Sequence, residues 1–203
     1  FWRGEISRLW AVNTLFDEGR IVANFSRMKE LFPSRVVSRS APAISWPIGS
    51  VSLPSTYRWN EEDRPVAGWL ARTATTSLVI IRDGVLVHEE YRLGTGPQDR
   101  RISWSMAKSF LSAMFGAHVV QGAIALDEPV DRYVPTLKGT VYEGVTVRNV
   151  LNMASGVRFN EDYLDFHSDI NRMGRVLAMG GSMDEFAAGL EARERPQGEA
   201  RQY

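Results

Sequence analysis

The stretch Ser103-Trp104-Ser105-Met106-Ala107-Lys108-Ser109-Phe110 decides how the rest of this chain is read. It places a serine and a lysine three positions apart. The residues that follow run at helical spacing: Phe110, Leu111, Met114, Phe115 and Val119 share one face, and Gly122 stops the run. Positions i and i+3 are neighbours on a helix surface. A lysine at 108 can therefore bring its amine within hydrogen-bond reach of the Ser105 hydroxyl. A neutral amine can take the hydroxyl proton, and burial beside other donors would favour that neutral form. The first N–H groups of a helix have no internal acceptor, so the Ser105 backbone N–H is a natural member of an oxyanion hole. A surface lysine on an amphipathic helix would give the same four-residue spacing, so the surroundings have to decide.

Upstream, residues 75–92 carry a strand signal. The run 75–82 is rich in β-branched residues, Asp83-Gly84 is a hairpin turn, and 85–91 returns. Further back, residues 33–68 hold Pro33, Pro42, Pro47, Pro54 and Pro65 among many serines. Proline breaks both helix and ladder, so an extended arm wrapping a surface is expected, with Trp46, Trp59 and Trp69 shielded against it. Residues 1–32 read as helix, with Leu9, Val12, Leu15, Phe16, Val22, Phe25 and Met28 at roughly helical spacing. Downstream, helices are expected over 146–154, ending at Ser155-Gly156, and over 183–192. The expected division is residues 1–70 as an N-terminal helix and Pro-rich arm, and residues 71–203 as a catalytic part.

Composition narrows the chemistry. The chain has 203 residues, 44% of them hydrophobic, with 24 basic and 24 acidic side chains and no net charge. That is ordinary for one globular domain and gives no electrostatic reason to expect nucleic acid or an anionic membrane surface. The lysines are only Lys29, Lys108 and Lys138. With no cysteine, thiolate catalysis, disulfides and cysteine-ligated metals are excluded, while cytosol and periplasm both stay open as compartments. No apolar run reaches the length of a membrane span. The chain opens on Phe1 and stops at Tyr203 within a motif, as expected of the N-terminal part of a longer fold.

The surroundings of Ser105 resemble the β-lactamase-related serine hydrolases, which include class C β-lactamases, D-alanyl-D-alanine carboxypeptidases, related esterases and 6-aminohexanoate-dimer hydrolases. The hairpin at Asp83-Gly84 is similar to the family's first two strands, and Ser105-Met106-Ala107-Lys108 to its nucleophile motif. The stretches from Gly122 to Val130 and Tyr133-Val134-Pro135 are similar to the segment after the catalytic helix. The run from Val145 to Gly156 is similar to the stretch of form ITIRHLLTHTSG. Pro196-Gln197-Gly198 followed by Tyr203 resembles the turn leading to the family's catalytic tyrosine. Asn160-Glu161-Asp162-Tyr163 and Ser168 to Met173 look nearest to the 6-aminohexanoate-dimer hydrolase-like group.

The resemblance implies an α/β (α+β) fold of the β-lactamase/transpeptidase type, an antiparallel sheet with a helical region packed on it. It implies Ser105 as nucleophile, Lys108 as general base and Tyr203 as shared acid/base. The substrate would be a small amide or ester, no metal or organic cofactor would be needed, and the rest of the polypeptide would complete the fold. Tyr163 falls in a loop over the site, where it either touches substrate or pins the loop. The family's third motif, Lys/His-Thr-Gly, does not occur in these residues and is expected further on. Two other functions stay open: a penicillin-binding carboxypeptidase or sensor with the same nucleophile, and a non-catalytic binding protein of the same fold.

Rival constellations are weak. There is no G-x-S-x-G elbow to give His88, His118 or His167 a triad role, and no HExxH or phosphate loop. Asp162, Asp165 and Asp169 read as a solvated acidic loop, lacking the glycine and glutamate of an EF-hand. Asp127 and Asp131 are expected to cap helices or pair with arginines.

Overall fold

The computed structural model describes residues 2–38 and 41–203. In chain order the elements are α1 (Trp2–Asn13), α2 (Ile21–Ser26), α3 (Met28–Leu31), β1 (Thr56–Trp59), β2 (Glu62–Pro65), α4 (Val66–Arg72), β3 (Ser77–Arg82), β4 (Val85–Tyr91), α5 (Ala107–Val120), α6 (Val130–Tyr133), α7 (Val147–Leu151), α8 (Asp169–Ala178) and α9 (Met183–Ala188). Short 3-10 turns lie at Trp104–Met106 and Pro135–Leu137. The described residues form two compact units, one within 14–102 and one made of 2–13 with 103–203.

Within 14–102, two antiparallel hairpins dominate. β3 pairs with β4 from Ser77↔Tyr91 to Arg82↔Val85, with an irregularity between Ile80 and Ile81. Asp83 and Gly84 both take positive φ, 52° and 75°, as a two-residue hairpin turn demands. The Pro-rich arm is extended at residues 47–51 and runs beside β4. The Leu86 N–H donates to the Pro47 carbonyl at 2.9 Å, and the Gly49 and Val51 N–H groups donate to Leu86 and Val87 carbonyls at 2.9 and 3.0 Å. Gly49 makes this approach possible, since a Cβ there would lie 2.9 Å from a Val85 methyl.

Part of that region corrects the sequence reading. Residues 56–65 form the hairpin β1–β2 rather than arm, and α4 begins at Val66. Trp46, Trp59 and Trp69 keep 45%, 57% and 40% of their surface exposed, so they are not shielded as expected. Residues 39 and 40 of the arm lie outside the described residues. The continuous helix expected over 1–32 is broken after Asn13 by turns through Gly19, where the Asp17 carbonyl accepts from the Arg20 and Ile21 N–H groups. Buried Asn24 donates its side-chain amide to the Thr14 carbonyl at 2.9 Å, which also accepts from the Asp17 N–H of the turn.

The second unit is built around residues 126–157. Segment 126–130 runs antiparallel to 145–148, with N–H groups of Val130, Val147 and Arg148 donating to Val145, Glu128 and Leu126 carbonyls. That pairing buries Val145 and Val147, worth about 1.5–3 kcal/mol each. Asp127 pairs with Arg148 through two bonds at 2.7 and 3.1 Å, as the sequence reading allowed. Asp131 accepts from the Gly144 N–H at 2.8 Å instead of finding an arginine. α7 and α9 are shorter than expected, ending at Leu151 and Ala188.

α8 is a helix the sequence reading does not mark. Ser168 caps it, its buried hydroxyl accepting from the Asn171 N–H. Asp169 therefore opens a helix and is not part of a loose loop. α8 packs against α1, where Arg8 donates its Nε to the buried Ala178 carbonyl at 2.7 Å and Gly174 faces Val12.

Candidate active site

Ser105 follows a residue in an unusual conformation. Trp104 has φ +47°, a left-handed value that costs a non-glycine residue about 1–3 kcal/mol. The sharp turn starts the short 3-10 segment that runs into α5, so Ser105 stands on its first turn. The Lys108 amine donates to Ser105 Oγ at 3.0 Å, as the i, i+3 spacing predicts. The Tyr203 hydroxyl donates to the same oxygen from 98 residues away. Lys108 Nζ also lies 5.5 Å from the centre of the Tyr203 ring, within cation–π range. The Ser105–Lys108 motif and Tyr203, read from a different stretch of sequence, thus meet at one atom.

One expectation fails here. Lys108 is exposed, not buried, because among the described residues α5 has no buried residue at all. Phe110 and Met114 on its apolar face keep 70% and 61% of their surface.

Tyr203 sits at the end of a segment, 193–203, that has no helix or strand of its own. It is laid along 141–158 by scattered bonds. Glu194 N–H donates to the Gly156 carbonyl at 2.9 Å, Gly198 N–H to Ala154 at 2.8 Å, and Gln202 N–H to Met153 at 2.8 Å. The Arg193 guanidinium donates to the Val141 and Glu143 carbonyls at 2.6 and 2.7 Å. Gly156, with φ +76°, permits the approach: a Cβ there would lie 2.2 Å from the Arg195 carbonyl oxygen.

Beside Lys108 and Tyr203 opens a cavity of about 370 Å³. Val150, Met153, Val157, Phe159, Ile170 and Met173 make its walls apolar, and Tyr142 and Glu161 add polar groups. Burial pushes the Tyr142 phenol above the ordinary tyrosine range. Such a space, apolar with a few polar groups, has the character of a small-molecule pocket.

Tyr163 lies near this centre in the loop before α8 and is 50% exposed. Its hydroxyl donates to Glu161 Oε1 at 2.8 Å. Burial, the Glu161 carboxylate and the nearby Tyr203 together push its pKa up to about 12. The loop is held by Asn171, whose side-chain amide donates to the Asp165 carbonyl at 2.8 Å and the Tyr163 carbonyl at 3.1 Å. It is Glu161, two residues before, that reaches the cavity wall. Sequence reasoning did not single out Glu161 or Tyr142, since neither belongs to a spacing motif; only the fold sets them beside Lys108. His88, His118 and His167 lie in β4, in α5 and in the loop before α8, and neither His118 nor His167 lines this cavity. Among the described residues no group of three or more His, Asp or Glu side chains is placed to hold a metal ion.

The sequence model of a family described as Beta-lactamase matches residues 66–203, which include Ser105, Lys108 and Tyr203. The chain belongs to the beta-lactamase family. It is 35% identical over 147 residues to the 6-aminohexanoate-dimer hydrolase of Paenarthrobacter ureafaciens, an alignment covering 72% of this chain and 36% of that protein. Among solved structures it resembles a Bacillus anthracis protein designated a 6-aminohexanoate-dimer hydrolase, with a TM-score of 0.77 at 20% identity. That match covers 93% of this chain and 52% of the other, so the chain spans about half the length of that structure and about a third of the Paenarthrobacter protein. The beta-lactamase/transpeptidase-like fold expected from the sequence is therefore the fold observed, with helices and small antiparallel sheets.

Proposed function

We propose that this beta-lactamase family member is a serine hydrolase that cleaves a small amide or ester through an acyl-enzyme on Ser105. Ser105 Oγ attacks the carbonyl carbon as Lys108, in its neutral amine form, takes its proton. The tetrahedral oxyanion is held by the Ser105 N–H and collapses as Tyr203 passes a proton to the departing amine or alcohol. Water then attacks the ester carbonyl, giving up a proton to the Lys108–Tyr203 pair, and releases the acid with Ser105 restored.

The observation that carries this reading is that both Lys108 Nζ and Tyr203 OH reach the single oxygen of Ser105. A base and an acid on one nucleophile is the arrangement acyl transfer needs. The apolar cavity beside them supports a substrate with a hydrocarbon portion. The name of the Paenarthrobacter relative makes the 6-aminohexanoate dimer the first amide to try.

The test is intact mass after exposure to a fluorophosphonate, together with initial rates on short p-nitrophenyl esters and on that dimer. A single adduct on the peptide holding Ser105, and loss of both adduct and turnover in Ser105→Ala, is the expected result. Full turnover in Ser105→Ala overturns the mechanism. A long-lived penicilloyl adduct without ester turnover would point instead to a penicillin-binding carboxypeptidase or sensor.

A further inference from the structure

We infer that Gln197 is a positioning residue that holds Tyr203 against Ser105, an inference that rests on the catalytic reading of those two groups. Gln197 lies in the turn Pro196-Gln197-Gly198, six residues before Tyr203, and neither helix nor strand stiffens the chain between them. Irregular backbone keeps its geometry only through specific bonds, and here one side chain supplies three. Gln197 Oε1 accepts from the Thr146 N–H at 2.9 Å and from Asn149 Nδ2 at 2.9 Å. Its Nε2 donates to the Gly144 carbonyl at 2.8 Å. Two donors face the oxygen and one acceptor faces the nitrogen, so the amide has one orientation that satisfies every partner.

All three partners lie at the start of α7. Thr146 is its N-cap, the hydroxyl accepting from the Asn149 N–H at 3.2 Å. Gly198, with φ +79°, closes on the same place from the other side: a Cβ there would meet the Asn149 side-chain oxygen at 3.4 Å. α7 carries Val150, and Met153 follows it, both in the cavity wall. The Gln197 clasp therefore references the segment bearing Tyr203 to the element that shapes the cavity. It sets the acid/base relative to the bound substrate; of the cavity lining only Gln202 and Tyr203 belong to the segment it holds.

The test is a double-mutant cycle with Tyr203→Phe, read as kcat and KM on a p-nitrophenyl ester. A residue acting through Tyr203 loses its effect when the phenol hydroxyl is gone, whereas one that merely supports the fold keeps it. Gln197→Met, nearly isosteric, is expected to lower kcat about tenfold with KM changed by less than about twofold, a fraction of the hundredfold that a 1 Å misplacement can cost. In the Tyr203→Phe background the same change should alter the residual kcat by less than about twofold. If Gln197→Met does not fold, Gln197→Glu keeps the two accepted bonds and sets a carboxylate oxygen against the Gly144 carbonyl in place of the donation. It should show a kcat loss that also vanishes beside Tyr203→Phe. Unchanged kcat in the single variant, or its full cost added to an impaired Tyr203→Phe, overturns this inference alone. A fully active Tyr203→Phe would overturn the catalytic reading itself.

Discussion

Among the described glycines, Gly156 is the one where an added Cβ meets the closest obstruction. In Gly156→Ala two costs arise. A Cβ in the left-handed region costs roughly 1 kcal/mol, and Gly156 has φ +76°. The new carbon would also lie 2.2 Å from the Arg195 carbonyl oxygen, whereas real Cβ contacts stay above 3.0 Å. The Arg195 backbone must withdraw by about 1 Å, straining the bonds from Glu194 N–H to Gly156 and from Gly198 N–H to Ala154, each worth about 0.5–1.5 kcal/mol. The sum is about 2–4 kcal/mol, or a fall in Tm of about 4–16 °C for a protein of this size. The same displacement moves the segment that ends in Tyr203, and a 1 Å error at a reacting group costs on the order of a hundredfold in turnover. Gly180→Ala is the internal control. Its φ is +78° but nothing lies within 4 Å of the added carbon, so only the roughly 1 kcal/mol backbone cost remains. Thermal melts and ester initial rates on both variants separate the contributions. If Gly156→Ala melts no lower than Gly180→Ala and keeps turnover within about threefold of the parent, the account of how Tyr203 is held is wrong.

Other outcomes can be checked directly. Lys108→Ala should lower turnover more than about a hundredfold with far less change in KM; lost affinity with retained turnover would make Lys108 a substrate anchor instead. Ser168→Ala removes the buried cap of α8 and should cost about 1 kcal/mol in urea unfolding, whereas an unchanged midpoint would deny the cap any weight. Tyr163 holds its proton to about pH 12 in the folded chain against 10.0 ordinarily. Its contribution to stability is complete below pH 10 and is lost as pH rises through 12. Between those values the parent should lose stability more steeply than Tyr163→Phe, and parallel urea midpoints would reject the raised Tyr163 pKa.

The sequence alone determined what rests on local geometry. The Ser105–Lys108 contact follows from helical spacing, and the Asp83-Gly84 turn follows from the need for two positive φ values. α8 was equally legible, with Ser168 ahead of Ile170, Met173 and Leu177, although the sequence reading treated that stretch as loop. The unbroken helix over 1–32 failed because periodicity does not register a turn such as the one through Gly19. Other features had no local signature. Whether Lys108 is buried depends on what covers α5, and the helix's own sequence is silent on that. That Tyr203 donates to Ser105, that Glu161 enters the cavity wall and that Gln197 clasps the start of α7 are decided by tertiary structure. The first and third join residues 48 or more positions apart through hydrogen bonds and the second sets Glu161 in one wall with Lys108, and a displacement of about one ångström, invisible to any spacing rule, is enough to undo such contacts.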